Sequence, residues 1–395
     1  MTKDQIAPAY DIVFEWKHIA FAAKRAFTET YGFNGSQGLT HLEGMLLRPA
    51  GRASKTLLIF MHPASTLQLL PLPQAMVRAG HHVLCAGSRY QRNDTALIME
   101  NVLLDLGAYI RAAKEDWGYD KVVLCGWSGG GSLTMLYQSQ AERPTITETP
   151  AGDPVDIKGA DLIPADAVLS LAAHASRAVL LEEWLDPSVI DEHDPDRRAA
   201  SLDLYAPGYE SRTEPYSAEF LTRYRAAQKA RMQRITNKAL ETLDSLRKTG
   251  GKEVERAFLT HRTLADPRFL DTTIEPNNRR PGWCYLGHPE TVNSGPAGLG
   301  RVSTLRSWLS QWSPEHSRAN SLVTARDITV PFLAVECGAD DAVPQPHTGL
   351  VFAAAGSADK EMQVIPTANH YFVGQPDELH AAVRLIDDWL QLRDF

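Results

Sequence analysis

The chain has 395 residues, 44% of them hydrophobic, with 27 glycines and 24 prolines spread along it. That is ample for a large core, in one elaborate domain or two or three simple ones. A formal net charge of −8 excludes the general basic character that attracts nucleic acid, while saying little about any one pocket.

The first residues, "MTKDQIAPAYDIVFEWKHIAFAAKRAF", carry Asp4, Asp11, Glu15 and Lys17 and lack the basic start and unbroken apolar run of a secretory signal. No window reaches the roughly 18 uninterrupted apolar residues of a membrane span. The four cysteines show no metal-ligand spacing, and Cys85, Cys125 and Cys337 lie within or at the end of apolar runs, as buried free thiols do. These features lead us to expect a cytoplasmic protein with a small-molecule substrate, no metal and no cofactor, and neither nucleic acid nor membrane as partner. A homodimer is left open.

In chain order, "AFTETYGF" (26–33) and "HLEGMLLRPAG" (41–51) are read as an antiparallel edge pair. Short unalternating apolar runs bounded by turn residues follow, the pattern of strands buried on both faces. They are "TLLIFMHP" (56–63), "HHVLCAGS" (81–88), "KVVLCGWS" (121–128) and "DAVLSLAAH" (166–174), then "VPFLAVECG" (330–338) and "EMQVIPT" (361–367). Helical spacing marks "LQLLPLPQAMVRAG" before the second run, "ALIMENVLLDLGAYIRAAKEDWG" before the third, and "ELHAAVRLIDDWLQL" after the last. Strand–helix alternation of this kind predicts an α/β fold with a doubly wound, mostly parallel sheet.

The alternation is interrupted once. We assign 1–175 and 326–395 to the sheet core and 176–325 to an inserted helical cap, since strand runs stop inside the latter and resume after it. Within it, "SAEFLTRYRAAQKARMQRITNKALETLDSLRK" sets Leu221, Tyr224, Met232, Ile235, Ala239, Leu243 and Leu246 on one stripe. Arg223, Arg225, Lys229, Arg231 and Arg234 crowd the other face, read as a solvated exterior or, as the lesser option, an anion-recognition surface.

The chemistry centres on "KVVLCGWSGGGSL" (121–133). Gly126-Trp127-Ser128-Gly129-Gly130 fits G-x-S-x-G, and it lies between an apolar strand and a helix, the context a nucleophile elbow demands. Glycines beside the serine remove Cβ clashes, so a strained backbone can lift the hydroxyl above the sheet. A phosphate loop would need G-x-x-x-x-G-K-[S/T], and neither that lysine nor that spacing is present. A dinucleotide fingerprint fails on spacing as well.

A serine hydroxyl needs a base, and the base an orienting acid. Two strand runs feed candidates beyond their carboxyl ends, where open α/β sheets bind ligands. "VPFLAVEC" runs into Gly338-Ala339-Asp340-Asp341, and "MQVIPT" into Ala368-Asn369-His370. His370 is the base candidate, because His347 shares the acid loop, His81 and His82 open a strand, and His62 belongs to another loop. Asp340 and Asp341 both remain open as the acid on this reading.

Through "GWSGGG", "GADDAVP" and "ANHYF", in that order, the chain resembles the α/β-hydrolase superfamily over about 50–175 and 326–395. The resemblance implies a triad of Ser128, His370 and Asp341, with Asp340 as the alternative, since the acid in similar hydrolases commonly stands three residues after the loop glycine. It implies an oxyanion hole built from the Gly129 N–H and a second amide after "TLLIFM", where many members carry His-Gly. Here His62-Pro63-Ala64 stands instead; Pro63 has no N–H, so Ala64 is nominated and His62 is read as shaping the loop, with a direct catalytic part as the lesser option. The serine excludes relatives that require an aspartate nucleophile. Hydrolysis of an ester, lactone or thioester is the expected reaction, with carbon–carbon hydrolysis or acyl transfer as alternatives and a non-catalytic receptor as the contrasting class. His62, Trp127, Trp184, Trp283 and Trp308 are the candidate pocket walls, with Tyr205, Tyr209, Tyr285 and Trp312 as further plausible ones, though cap aromatics more often form a core. "RPGWCYLGHPETVNSGPAGLG" (280–300) is read as an entrance or a long surface loop.

Overall fold

The computed structural model describes residues 10–22, 38–275 and 277–395. Its strands, in chain order, are β1 (Ile12–Ala22), β2 (Leu39–Pro49), β3 (Thr56–Met61), β4 (His82–Ala86), β5 (Lys121–Trp127), β6 (Ala167–Leu171), β7 (Ala257–Leu259), β8 (Val302–Thr304), β9 (Phe332–Cys337) and β10 (Lys360–Ile365). The longer helices are α1 (Pro71–Arg78), α2 (Met99–Glu115), α3 (Gly130–Glu142), α4 (Arg177–Trp184), α5 (Ala218–Thr249), α6 (His347–Ala354) and α7 (Pro376–Gln391).

The apolar runs fail to alternate because successive side chains enter different cores. In β3, Leu57, Ile59 and Met61 join one layer with Val102, Leu106 and Tyr109 of α2 and Leu133 and Leu136 of α3. Leu58 and Phe60 join the other, with Met76 and Val77 of α1 and Ile386 and Trp389 of α7. Both faces are therefore helix-covered, which is why these strands are almost continuously apolar. All four cysteines are buried and free, three of them in these strands.

The eight-stranded sheet runs β1-β2-β4-β3-β5-β6-β9-β10, with β2 antiparallel to β1 and β4 and the remaining pairs parallel. After β3 the chain winds to β4 on one side and then crosses to β5 on the other. The loops after β3 and β5 thus flank the topological switch point, where the crevice of an open α/β sheet lies. This is the doubly wound, mostly parallel sheet that the sequence predicts.

The edge pairing differs in one respect. The partner of β2 is β1, in register from Ile12 opposite Pro49 to Ala22 opposite Leu39, while "AFTETYGF" lies outside the described residues. Little in the sequence signals β1: Glu15, Lys17, Ile19 and Phe21 are half-buried while Trp16, His18 and Ala20 are exposed, so burial there does not follow hydrophobicity.

Between β6 and β9 the chain forms α4, α5, several short helices and an antiparallel ladder of β7 with β8. That ladder was not expected; three residues per strand are too few to carry a period-two pattern. Ser217 caps α5 by accepting from Phe220 N–H, and Gly250 closes it at φ 65°. The basic face of α5 is a free exterior only in part: Arg223, Lys229 and Arg234 are exposed, whereas Arg225 and Arg231 are not. Arg231 is 1% exposed, bound to Glu192 and to the carbonyls of Asp186 and His261. Arg225 reaches Asp266 and the Glu183 carbonyl, and Arg234 reaches Glu192 and the Val189 carbonyl. These arginines answer loop carbonyls and acids that would otherwise be buried unpaired.

One charged cluster ties this segment to the sheet. Arg268, buried, binds Glu183 at 2.6 Å, Glu275 at 2.9 Å and Asp266. Glu183 also meets Nε2 of His347 at 3.1 Å, at the start of α6, while Nδ1 of His347 accepts from Ala175 N–H. Burial alone would raise the Glu183 carboxyl, but Arg268 and His347 hold it down to about 2. A carboxylate depressed in the folded state stabilises the fold fully above its unfolded value of 4.5, and that contribution is lost as pH falls toward 2. Glu183→Gln is expected to cost about 2 kcal/mol at pH 7, allowing for partial exposure. Denaturant titrations of wild type and variant should converge as pH drops from 4.5 to 2.

Candidate active site

Ser128 stands between the last residue of β5 and the first turn of α3, with φ at 54°. A non-glycine residue in the left-handed region is strained and persists only where its surroundings over-determine it. Here Ser128 N–H donates to the Leu171 carbonyl at 3.1 Å, and the Ser128 carbonyl accepts from Gly131 N–H at 3.0 Å. The neighbouring glycines serve closeness of approach. A Cβ on Gly126 would collide with Thr134 and the Gly130 carbonyl, and one on Gly130 with the Met61 carbonyl. The N-terminus of α3 is thereby pressed against the end of β3.

His370 follows β10, and its Nδ1 lies 3.0 Å from Oδ2 of Asp340. Asp340 is 2% exposed, and its Oδ1 accepts from the amides of Ala342 at 2.8 Å and Val343 at 2.7 Å. An acceptor on Nδ1 places the imidazole proton there and leaves the Nε2 lone pair free. The His370 ring packs 4.6 Å from that of Trp127, the residue before Ser128, so β5 and β10 bring the elbow and the imidazole into one neighbourhood.

The favoured acid, Asp341, is not the one beside the imidazole. Its Oδ1 takes the backbone N–H of His370 at 3.4 Å, and its carbonyl accepts from Tyr285 N–H at 2.9 Å. Burial and the charge of Asp340 raise its carboxyl above the usual range. The reason is how the β9 and β10 loops meet: Gly338 N–H reaches the Ile365 carbonyl and Ala339 N–H that of Ala368. This strand-like pairing carries the chain two residues past Gly338, where the turn at Asp340 aims its carboxylate at His370.

The nominated oxyanion donors fare differently. Gly129 N–H lies at the start of α3, among the amides that helix geometry leaves unpaired and that favour negative charge. The Ala64 amide, however, points at Nδ1 of His62, 3.2 Å away, and Ser65 N–H joins it at 2.9 Å. His62 does shape the loop, and in doing so it draws the nominated donor toward itself. Its Nε2 lies 2.7 Å from where a Cβ on Gly129 would stand.

Of the candidate walls, Trp127 borders His370, but Trp308 does not belong to the site. Trp308 is packed with Leu181, Met232 and Ile235, and its indole donates to Thr236. Trp184 is likewise interior, against Phe269 and Tyr285 at 5.8 Å each. Trp283 is half-buried under the Arg280 guanidinium, and no described contact brings it to the elbow. Three more residues stand near the elbow; Tyr285 is among the plausible cap walls named from the sequence, whereas His174 and Arg177 were not singled out there. Tyr285, from the 280–300 segment, stands 6.3 Å from the His370 ring. His174 brings Nε2 within 3.5 Å of the same Gly129 Cβ position, and its buried Nδ1 has no partner. Arg177 pairs with Asp94 at 2.6 Å and lies over Trp312. His174, just past the carboxyl end of β6, could have been found by the rule that led to His370. Arg177 carries no such signal. Burial, then the neighbouring Arg177 and His370, push the His62 pKa well below its usual value. Burial, then His347 and Arg177, do the same for His174.

The sheet order and the elbow give the chain the α/β-hydrolase fold. One solved structure supports the fold: DcsB, determined with its substrate analogue, matches at a TM-score of 0.50 and 12% identity, over 95% of this chain and 98% of that one. The α/β hydrolase GrgF from Penicillium sp. sh18 matches at 0.49 and 12% identity, over 96% and 100% of the two chains. The esterase domain from Rhodothermus marinus matches at 0.44 and 13%, over 95% and 98%. No protein-family model and no curated protein matches the sequence. Among the described residues, no helix is long and apolar enough to cross a membrane.

The Asp340–His370 contact makes a spectroscopic prediction. A strongly deshielded Nδ1 proton in the one-dimensional proton NMR spectrum should vanish in Asp340→Asn and persist in Asp341→Asn.

Proposed function

We propose that the protein is a serine hydrolase that cleaves a carboxylic ester, lactone or thioester of a small, partly apolar molecule through an acyl-enzyme on Ser128. The observation that carries the reading is the buried Asp340 carboxylate on Nδ1 of His370, which leaves a basic Nε2 on the imidazole packed beside the strained Ser128 turn.

In this reading His370 Nε2 takes the Ser128 proton as Oγ attacks the carbonyl, and Asp340 stabilises the imidazolium that forms. The tetrahedral oxyanion is held at the start of α3, with Gly129 N–H as one donor. His370 returns the proton to the departing alkoxide or thiolate. It then deprotonates a water that attacks the acyl-enzyme, which releases the acid and restores Ser128. The Trp127, Tyr285 and Tyr371 rings gather around His370 and supply an apolar wall, which favours a partly apolar substrate. The segment between β6 and β9, which supplies Tyr285, acts as the cap over the site.

A fluorophosphonate probe should label wild type on Ser128, located by peptide mass spectrometry, and short-chain aryl esters should be turned over. Ser128→Ala should abolish labelling and lower kcat by 10⁴ or more. Asp340→Asn should lower kcat by about 10⁴ by favouring the wrong tautomer, and Asp341→Asn by much less. Folded wild type that is neither labelled nor active on any ester would leave a non-catalytic small-molecule receptor as the better reading.

A further inference from the structure

The loop after β3 has an unusual problem. An oxyanion hole needs a second donor opposite the Gly129 amide, and the backbone there does not present one. Pro63 has no N–H, and the next two amides, of Ala64 and Ser65, both converge on Nδ1 of His62 at 3.2 Å and 2.9 Å. Either amide could serve an oxyanion only by abandoning that acceptor.

The same two hydrogen bonds fix the chemistry of the imidazole. A nitrogen that accepts two N–H groups carries no proton, so the proton of neutral His62 sits on Nε2. Among the described residues this Nε2–H donates to no protein group. It is aimed at the elbow: Nε2 lies 2.7 Å, and Cδ2 3.2 Å, from where a Cβ on Gly129 would stand. The loop is held close by the seating of α3, since a Cβ on Gly130 would run into the Met61 carbonyl and lie 3.6 Å from the His62 Cα. Ser88 adds a brace through its hydroxyl, which donates to the Pro63 carbonyl at 2.5 Å. The ring is thus oriented from both sides, with its one free donor over the residue whose amide is the other half of the hole.

We propose that His62 is a catalytic residue, and that its Nε2–H replaces the missing backbone amide as the second oxyanion donor. The proposal rests on the serine-hydrolase reading above. During attack the carbonyl π pair moves onto oxygen as the Ser128 Oγ–carbon bond forms, and that oxygen accepts from Gly129 N–H and His62 Nε2–H. The proton stays on His62 throughout, which separates its role from that of His370. Burial and the nearby Arg177 and His370 favour the neutral ring that this role requires.

Two substitutions separate donation from loop shaping. In His62→Asn the side-chain oxygen can occupy the position of Nδ1 and keep the Ala64 and Ser65 amides, but nothing replaces Nε2–H. In His62→Gln the amide nitrogen can reach the position of Nε2, but the loop amides lose their acceptor. We expect kcat on an aryl ester to fall about 10²- to 10³-fold in His62→Asn with KM changed less than about threefold, in line with the loss of one oxyanion donor. Affinity for a trifluoromethyl ketone, which forms a tetrahedral adduct, should fall in parallel. His62→Gln should retain clearly more kcat than His62→Asn, even if it melts earlier. Near-wild-type kcat in His62→Asn overturns the proposal and returns the role to the Ala64 amide. Equal losses in both variants, tracking stability, also overturn it and leave His62 as a loop-shaping residue. A wild type that is unlabelled by fluorophosphonate and inactive on esters fails earlier, at the serine-hydrolase reading, and takes this proposal with it.

Discussion

The seating of the α3 N-terminus among the ends of β3, β5 and β6 is the constraint on which the rest of the site depends. Gly126, Gly130 and Gly131 bring the helix so close that any side chain at these positions would strike Thr134, the Met61 carbonyl or Ala173. That closeness forces the one residue that must turn, Ser128, into a left-handed backbone, and the Leu171 carbonyl holds it there. The strain is local, but its support is the interior of a sheet buried on both faces. Hydrophobic burial at distant positions therefore maintains the geometry of the elbow.

The same closeness gives the site its electrostatic character. Unpaired amides at the start of α3 favour negative charge, while the imidazoles of His62 and His174 are crowded over Gly129 in surroundings that disfavour their protonation. Neutral donors and a helix terminus are suited to a charge that develops only in passing. The carboxylate beside the His370 ring, Asp340, accepts from two backbone amides and meets the imidazole. Its contact with Nδ1 fixes the orientation of the His370 ring.

Polar residues of the segment between β6 and β9 follow a comparable logic on a larger scale. Its arginines look like an exterior face in the helical pattern of α5, yet Arg225 and Arg231 turn inward to loop carbonyls and acids. Arg268 then links Glu183 to Asp266 and Glu275, and Glu183 passes the connection to His347 on the far side of the acid loop. Packing in this segment is thereby coupled to the loop that carries Asp340.

The sequence by itself determined the sheet, because strands buried on both faces must be continuously apolar and so stand out. It also determined Ser128 and His370 as site candidates, because an elbow and a post-strand histidine are local patterns. Strand β1 was not legible, because its half-buried side carries Glu15 and Lys17 and its exposed side Trp16, and the three-residue β7 and β8 were too short to carry a period. Only the tertiary structure decided between Asp340 and Asp341. They are adjacent in the chain, and which one faces His370 depends on how far the β9 and β10 loops stay paired. Only it, too, turned the Ala64 amide onto His62, brought Tyr285 over the base and buried Trp308 away from it. Each of these depends on the direction of a side chain or an amide set by residues far away in sequence, and no local pattern encodes that direction.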